Sequence, residues 1–294
     1  GDDNNTNAPG IAAITSGATA IATGGYHTCA LLADGAVKCW GNGYSGQLGN
    51  GSNGMGSYTN TPGIAAIASG ATAITAGYSH TCALLAHGVV KCWGSGYSGQ
   101  LGNGMASYTN TPGIAAITSV ATAIAAGDSH TCALLADGAV KCWGSGDQGQ
   151  LGNGSYTYTN APPRIAAITS GATAIAAGES HTCALLADGA VKCWGSGGSG
   201  QLGNGDYSNT NTPGIAAITS GATAIAAGNS YTCALLTDGA VKCWGVGNNW
   251  QLGNGDDSNT NAPGIAAITS GATAIATGNS HTCALLAPNG AVKC

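Results

Sequence analysis

Histidine and cysteine recur together along this chain, and their spacing is the first that could carry chemistry. His27, His80, His130, His181 and His281 each stand two residues before a cysteine, and a second cysteine follows ten or eleven residues later. One imidazole and two thiolates could hold a zinc ion, and a histidine alone could serve as an acid or base. In the fifth occurrence Tyr231 takes the histidine position while Cys233 and Cys243 persist, so the cysteines do not depend on the imidazole. Asp128 and Glu179 hold equivalent positions in successive occurrences, and two carboxylates on one rim could act as a glycosidase pair; a variable loop position is the simpler reading. Asp2 with Asp3, and Asp256 with Asp257, lie among Asn and Thr, oxygen-rich surroundings for calcium but without a regular ligand spacing. No Gly-x-Ser-x-Gly elbow, His-Glu-x-x-His, Walker loop or EF-hand loop occurs. No convergent set of nucleophile, base and acid can be assembled, so the expectation is a non-enzyme with no catalytic residue, no metal and no cofactor. Asn4, Asn50 and Asn153 head Asn-x-Ser/Thr sequons, which would carry glycans in a glycosylating secretory route.

The elements that must position these residues are short. Of 294 residues only 6% are charged, 51 are Gly and none is Phe, which leaves a surface of Gly, Ser, Thr and Asn. Net charge is -5, and no basic stripe for nucleic acid emerges. Lys38, Lys91, Lys141, Lys192, Lys242 and Lys293 recur once per repeat, as expected of a solvent-facing strand position. The longest apolar stretches, such as that from Ile11, are broken by Thr, Ser and Gly well short of a bilayer span, so no membrane span is expected. Gly1 opens the sequence without Met and without a charged segment before an apolar run, so a secretion signal is expected to have been removed or never present.

Aligned on Cys29, Cys82, Cys132, Cys183, Cys233 and Cys283, the sequence repeats at intervals of 53, 50, 51, 50 and 50 residues. The units run over about 1–50, 51–103, 104–153, 154–204, 205–254 and 255–294, all within one domain, 1–294. Each contains a Pro-bearing loop, a segment I-A-A-I-T-S-G-A-T-A-I-A-x-G, then H-T-C-A-L-L-A-D-G-A-V-K-C-W-G, then a Gly-rich connector ending Q-L-G-N-G. Apolar and β-branched runs of four to six residues, cut by Gly, Pro and Asp-Gly, predict four short strands per unit.

The Ala-Asp-Gly turn fixes a register. With Ala33, Asp34 and Gly35 as a three-residue loop, Leu32 faces Ala36, Leu31 faces Val37, Ala30 faces Lys38 and Cys29 faces Cys39. In the last unit a four-residue loop, Ala287 to Gly290, again sets Cys283 opposite Cys294. Directly opposed strand residues lie within reach of a disulfide, which favours Cys29–Cys39, Cys82–Cys92, Cys132–Cys142, Cys183–Cys193, Cys233–Cys243 and Cys283–Cys294. Bonds between neighbouring repeats, or a metal site, are the alternatives. Six disulfides imply an oxidising compartment, extracellular or at the cell surface.

The succession from His27 to Trp40, followed by Gly41 to Gly51, and from His181 to Trp194, followed by Gly195 to Gly205, resembles the RCC1 repeat, and the resemblance covers essentially the whole chain. It implies an all-β, RCC1-like β-propeller of six four-stranded repeats, one blade each, with the repeated histidines as structural residues at the start of an inner strand. Familiar members have seven blades, so closure with six or seven stays open. Gly1 to Pro9 matches Gly255 to Pro263, so the sequence resumes the repeat about eleven positions after Cys294 leaves it. A ring closed by terminal strands, a fragment of a longer array, and subunits stacked end to end all fit that phase.

Where the strands are near-copies, the positions that differ mark surfaces not fixed by packing. One set is Gly25, Tyr78, Asp128, Glu179, Asn229 and Asn279, which in a propeller would encircle one face as a candidate contact ring. A second, on the connectors, includes Tyr44, Tyr97, Asp147 and Trp250, then Tyr58, Tyr108, Tyr156, Tyr158 and Tyr207, types that carry energy at interfaces. Trp250 replaces the Gly found at 46, 99, 149 and 200. The leading expectation is a secreted or cell-surface structural protein that self-assembles into a filament or layer, its partner another copy of itself, since sparse charge weakens repulsion between copies. The alternative is an extracellular partner-binding propeller, an adhesin or a protein inhibitor. Nucleotide exchange on a small GTPase, which the resemblance also implies, fits a reducing compartment and so ranks last.

Overall fold

The computed structural model describes residues 14, 17–51, 58, 59, 62, 67–115, 117, 119–162, 167–214, 217–265 and 268–294. They form six antiparallel sheets, one per repeat. The first contains β1 (Ala18–Thr23), β2 (His27–Leu32), β3 (Val37–Asn42) and β4 (Tyr58–Thr59), and the second β5 (Ala71–Ala76), β6 (His80–Leu85), β7 (Val90–Gly94) and β8 (Thr109–Ile114). The third contains β9 (Ala121–Ala126), β10 (His130–Leu135) and β11 (Val140–Gly144), and the fourth β12 (Ala172–Ala177), β13 (His181–Leu186) and β14 (Val191–Gly195). The fifth contains β15 (Ala222–Ala227), β16 (Tyr231–Leu236), β17 (Val241–Gly245) and β18 (Thr260–Ile265), and the sixth β19 (Ala272–Thr277), β20 (Thr282–Leu286) and β21 (Ala291–Lys293). The first strands of successive sheets touch one another, so the sheets stand as blades around an axis.

The expected fourth strand is complete in only some blades. In blades 3 and 4 it is reduced to isolated bridges, Gly144 with Thr159 and Val140 with Ile168, Gly195 with Thr210 and Val191 with Ile218. This segment carries the repeat's proline, which cannot donate to a ladder and is tolerated at an outer edge; Pro112 and Pro263 lie within the longer β8 and β18, so the proline alone does not decide the strand's length. Among the described residues blade 6 has three strands.

Inside the blades the register follows the sequence. Leu31 pairs with Val37, Ala30 with Lys38 and Cys29 with Cys39, and the same set recurs in blades 2 to 5. All six intrablade disulfides form, at Cα separations of 4.0–4.1 Å. The turn aspartates act locally: Asp34 Oδ1 accepts the Ala36 N–H at 2.9 Å while Gly35 takes a left-handed φ of 78°. The lysines of blades 1 to 5 are half-buried rather than fully solvent-facing.

His-Thr-Cys-Ala-Leu-Leu is apolar without alternation because the second strand is covered on both faces by neighbouring blades. The cores therefore lie between blades. Cys29, Leu31, Val37, Cys39 and Leu48 of blade 1 pack with Ala71, Ala83 and Trp93 of blade 2. Among the described residues the end blades lack this cover on one side. Leu285 and Val292 of blade 6 are 40% and 64% exposed, against 5% and 1% for Leu235 and Val241 at the same positions of blade 5.

Candidate axial binding site

Each first strand is followed by a glycine that brings the chain to the axis. A Cβ added at Gly127 would lie 2.2 Å from His130 Cε1 and 2.4 Å from the Gly178 carbonyl oxygen of the next blade, so only glycine fits. The next residue is the variable one. Asp128 N–H donates to the Glu179 carbonyl at 3.1 Å, Glu179 N–H to Asn229 at 3.0 Å, and Tyr78 N–H to Asp128 at 3.3 Å. The backbone thus runs a belt of hydrogen bonds from blade to blade. Inside the belt lies an open pocket of about 330 Å³ to which all six blades contribute, including Gly25, Tyr78, Asp128, Glu179, Asn229 and Asn279.

The histidine behind each glycine holds neighbouring blades together. His80 Nε2 lies 2.9 Å from Thr131 Oγ1, and that hydroxyl donates to the Gln100 carbonyl at 2.9 Å, which also receives Trp143 Nε1 at 3.0 Å. A hydroxyl has one proton, and a carbonyl can only accept. The histidine must therefore carry its proton on Nε2 and donate it, which leaves Nδ1 bare and without a partner. The relay recurs at His27, His130 and His181. Burial holds these imidazoles neutral, lowering His80 and His130 to about 3 and His27 and His181 to about 4. At Tyr231 the phenol hydroxyl reaches the carbonyls of Gly278 and His281 instead. The cysteines being paired in disulfides and the histidine Nε2 atoms bonded to threonines, the His-Cys metal alternative is replaced by a structural relay.

Around the pocket mouth the side chains are sorted by type. Blades 1 and 2 supply aromatics: Tyr78 OH donates to Tyr26 OH at 3.0 Å, with the rings edge to face at 5.2 Å. Blades 3 and 4 supply Asp128 and Glu179, and burial followed by the Glu179 charge raises the Asp128 carboxyl to about 6. Blades 5 and 6 supply the amides of Asn229 and Asn279. A carboxylate already short of water and facing a second one is an acceptor for a cation or a donor-rich group.

The structure thus brings Gly25, Tyr78, Asp128, Glu179, Asn229 and Asn279 together at one place, with Tyr26 beside Tyr78 as an addition. Tyr26 stands where the other five repeats have Ser79, Ser129, Ser180, Ser230 and Ser280, a singular substitution beside the variable position that marks it. Tyr44, Tyr97 and Trp250 lie elsewhere, exposed on the connectors and lining no part of the axial pocket. Trp250 adopts φ 63°, in the left-handed region its glycine counterparts occupy. Asp256 takes part in an Asx turn, accepting the Ser258 N–H. Asn4, Asp2 and Asp3 lie outside the described residues.

Compared with known proteins, the chain matches the family model described as RCC1-like domain over residues 1–293. No curated protein matches. Among solved structures, human WBSCR16 superposes with a TM-score of 0.81 at 23% identity, covering 91% of this chain and 71% of that one. Yeast RCC1 (Prp20) bound to Kap60 gives 0.77 at 23% identity, covering 90% and 67%. The CRINKLY WD40 ectodomain of the Arabidopsis thaliana receptor kinase ACR4 gives 0.53 at 22% identity, covering 92% and 76%. At these identities the likeness is one of fold.

Proposed function

The chain belongs to the RCC1-like domain family, and from that premise we propose that it is a non-enzymatic, extracellular partner-binding propeller that holds its partner at the axial mouth. One observation carries the reading: the position that varies while its flanks are copied converges, from all six blades, on a single pocket. Tyr26 and Tyr78 offer rigid contact area, and Asp128 with Glu179 offers acceptors for a lysine or arginine side chain of a protein partner. One neighbour has protein partners in both of its structures, since yeast RCC1 (Prp20) was crystallised with Kap60 and was studied for binding to Gsp1p and histones. The extracellular setting rests on six disulfides. The same disulfides weigh against nucleotide exchange, which fits a reducing compartment. No described helix is long and apolar enough to cross a membrane. Selection of a displayed peptide library on the oxidised protein tests the reading. Enrichment of basic residues that is lost with Asp128→Asn plus Glu179→Gln is expected, and binders indifferent to those changes and to Tyr78→Ser would refute it.

Self-assembly is a second reading, favoured by the exposed apolar residues on the end blades, Ile21, Leu285 and Val292. A heterologous contact of one end blade with the other would propagate a filament. Sedimentation showing only monomer at high concentration argues against it.

A further inference from the structure

The third strand of each blade runs antiparallel to the second, so the connector that follows it leaves on the face of the axial mouth. In blade 1 the Asn42 N–H donates to the Tyr26 carbonyl, and in blade 2 the Ser95 N–H donates to that of Ser79, both at 2.8 Å. The outer segment returns at this end too, Tyr58 pairing with Asn42 and Thr109 with Gly94. Tyr26, Tyr44, Tyr58, Tyr78, Tyr97 and Tyr108, all the tyrosines of blades 1 and 2, are therefore gathered on one face, each at least 43% exposed.

The frame beneath the outer four is stiff. Gly96 lies against the Ser107 carbonyl, where any Cβ would collide, and this contact presses the tip that carries Tyr97 onto the segment that carries Tyr108. The two rings meet at a centroid distance of 6.2 Å, tilted by 56°. The tip itself is pinned: the Ser98 N–H donates to Oε1 of the buried Gln100 at 3.0 Å, and the Gly99 N–H to the Gly96 carbonyl at 2.8 Å. Blade 1 repeats the pair as Tyr44 and Tyr58, tied through Asn42, whose Oδ1 accepts the Tyr44 N–H at 2.8 Å and whose Nδ2 donates to the Tyr58 hydroxyl at 3.4 Å. Rings held out to solvent in this way lose little freedom when something stacks on them.

This sector is also free of charge. Between Lys38 and Asp128 the only Asp, Glu, Lys or Arg is Lys91, near the opposite end of β7, whereas the connectors of blades 3 to 5 carry Asp147, Asp206, Asp256 and Asp257. A charged peptide, a nucleic acid or an anionic headgroup would give up water here and meet no counter-charge. Met105 is the one exposed large aliphatic side chain among the described connector residues of blades 1 and 2, so an aliphatic partner finds little to bury. What the sector offers is phenol rings set among the amides and hydroxyls of Asn, Ser and Thr. A sugar ring is the complement: it is uncharged, its C–H faces stack on an aromatic ring, and its hydroxyls pair with amides and hydroxyls.

We propose that this sector binds a neutral oligosaccharide, its sugar rings stacked on Tyr97 and Tyr108 and, one blade away, on Tyr44 and Tyr58. The site is separate from the acidic part of the axial mouth and goes beyond the partner binding assigned there. Two like pairs on one rigid frame suit a polymer of repeating sugars, since a chain held by one pair reaches the other at a high effective concentration.

The probes are cellohexaose, laminarihexaose, mannohexaose and chitohexaose, each titrated into the oxidised protein with calorimetry and amide NMR as readouts. At least one should bind with a Kd on the order of 1 mM or tighter and shift the amides of Tyr44, Tyr97 and Tyr108. Tyr97→Ala with Tyr108→Ala should weaken binding about tenfold at an unchanged Tm, and Tyr97→Phe with Tyr108→Phe, which keeps the rings, should stay within about threefold of the parent. Asp128→Asn should leave sugar binding unchanged while weakening a basic peptide at the axial mouth, so the two readings fail separately. No binding of any of the four sugars at about 5 mM, undiminished binding by the alanine variant, or larger shifts at these tyrosines with a lysine-rich peptide than with any sugar would each overturn the proposal.

Discussion

Acidification should unfold this protein steeply, through its buried histidines. In the fold His27, His80, His130 and His181 titrate at about 3 to 4, against 6.5 for a free imidazole. A depressed folded value means that the unfolded chain takes up the proton first. The stability these groups confer is therefore complete above pH 6.5 and is lost as pH falls through the interval down to 4 and then 3. Within that interval each costs about 1.4 kcal/mol per pH unit, so four acting together cost roughly 5 kcal/mol per unit below pH 5.5. Integrated from pH 6.5 to 4.5, the loss is on the order of 8 kcal/mol, comparable with the whole stability of an ordinary domain. Asp128 acts in the opposite sense. Its raised carboxyl contributes most below pH 4 and loses that contribution as pH rises through 6, by less than one histidine once its partial exposure is discounted. The assay is urea unfolding of the oxidised protein in steps from pH 7 to 4.5. His130→Tyr, copied from the natural exchange at Tyr231, should cut the slope by about a quarter. A midpoint that does not move between pH 6.5 and 4.5, or a slope unchanged in the tyrosine variant, would refute the neutral-relay argument.

Trp250→Gly should stabilise the domain by about 1 kcal/mol in chemical unfolding, because it relieves a left-handed φ on a bulky residue that is 60% exposed. Replacing Cys132 and Cys142 together by Ala should lower stability by roughly 2 to 3 kcal/mol, and intact mass measurement of the parent, purified without reductant, should show no free thiol.

Much of the fold was legible because its determinants are local. The length of the Ala33 to Gly35 loop dictates the pairing of Cys29 with Cys39, and one extra residue before Gly290 is absorbed without moving Cys283 from Cys294. That Tyr78, Asp128, Glu179, Asn229 and Asn279 share one face was legible for a different reason: a position free to vary between copied strands is one that packing does not constrain. What escaped depends on contacts some fifty residues apart. Nothing near His80 announces that its proton goes to Thr131, or that Trp143 shares the same carbonyl. The Tyr26 pair with Tyr78 is of this kind, although the break in the Ser series could have flagged it. The fourth strands were overestimated, since a composition that reads as extended does not say whether a Pro-bearing edge finds enough partners to form a ladder.

The relay through His, Thr, Gln and Trp has a bearing on how such a chain could change over generations. Blades 1 to 5 meet their neighbours through the same plug and the same socket, so a duplication or loss of one of these repeats in the gene creates no junction that has not already been tested in the protein. Copy number can then drift at little cost in stability, while the width of the axial opening changes with the number of blades around it. The belt of variable residues would gain or lose one member at each such step, giving selection a graded supply of apertures and lining chemistries on a frame that need not be reinvented.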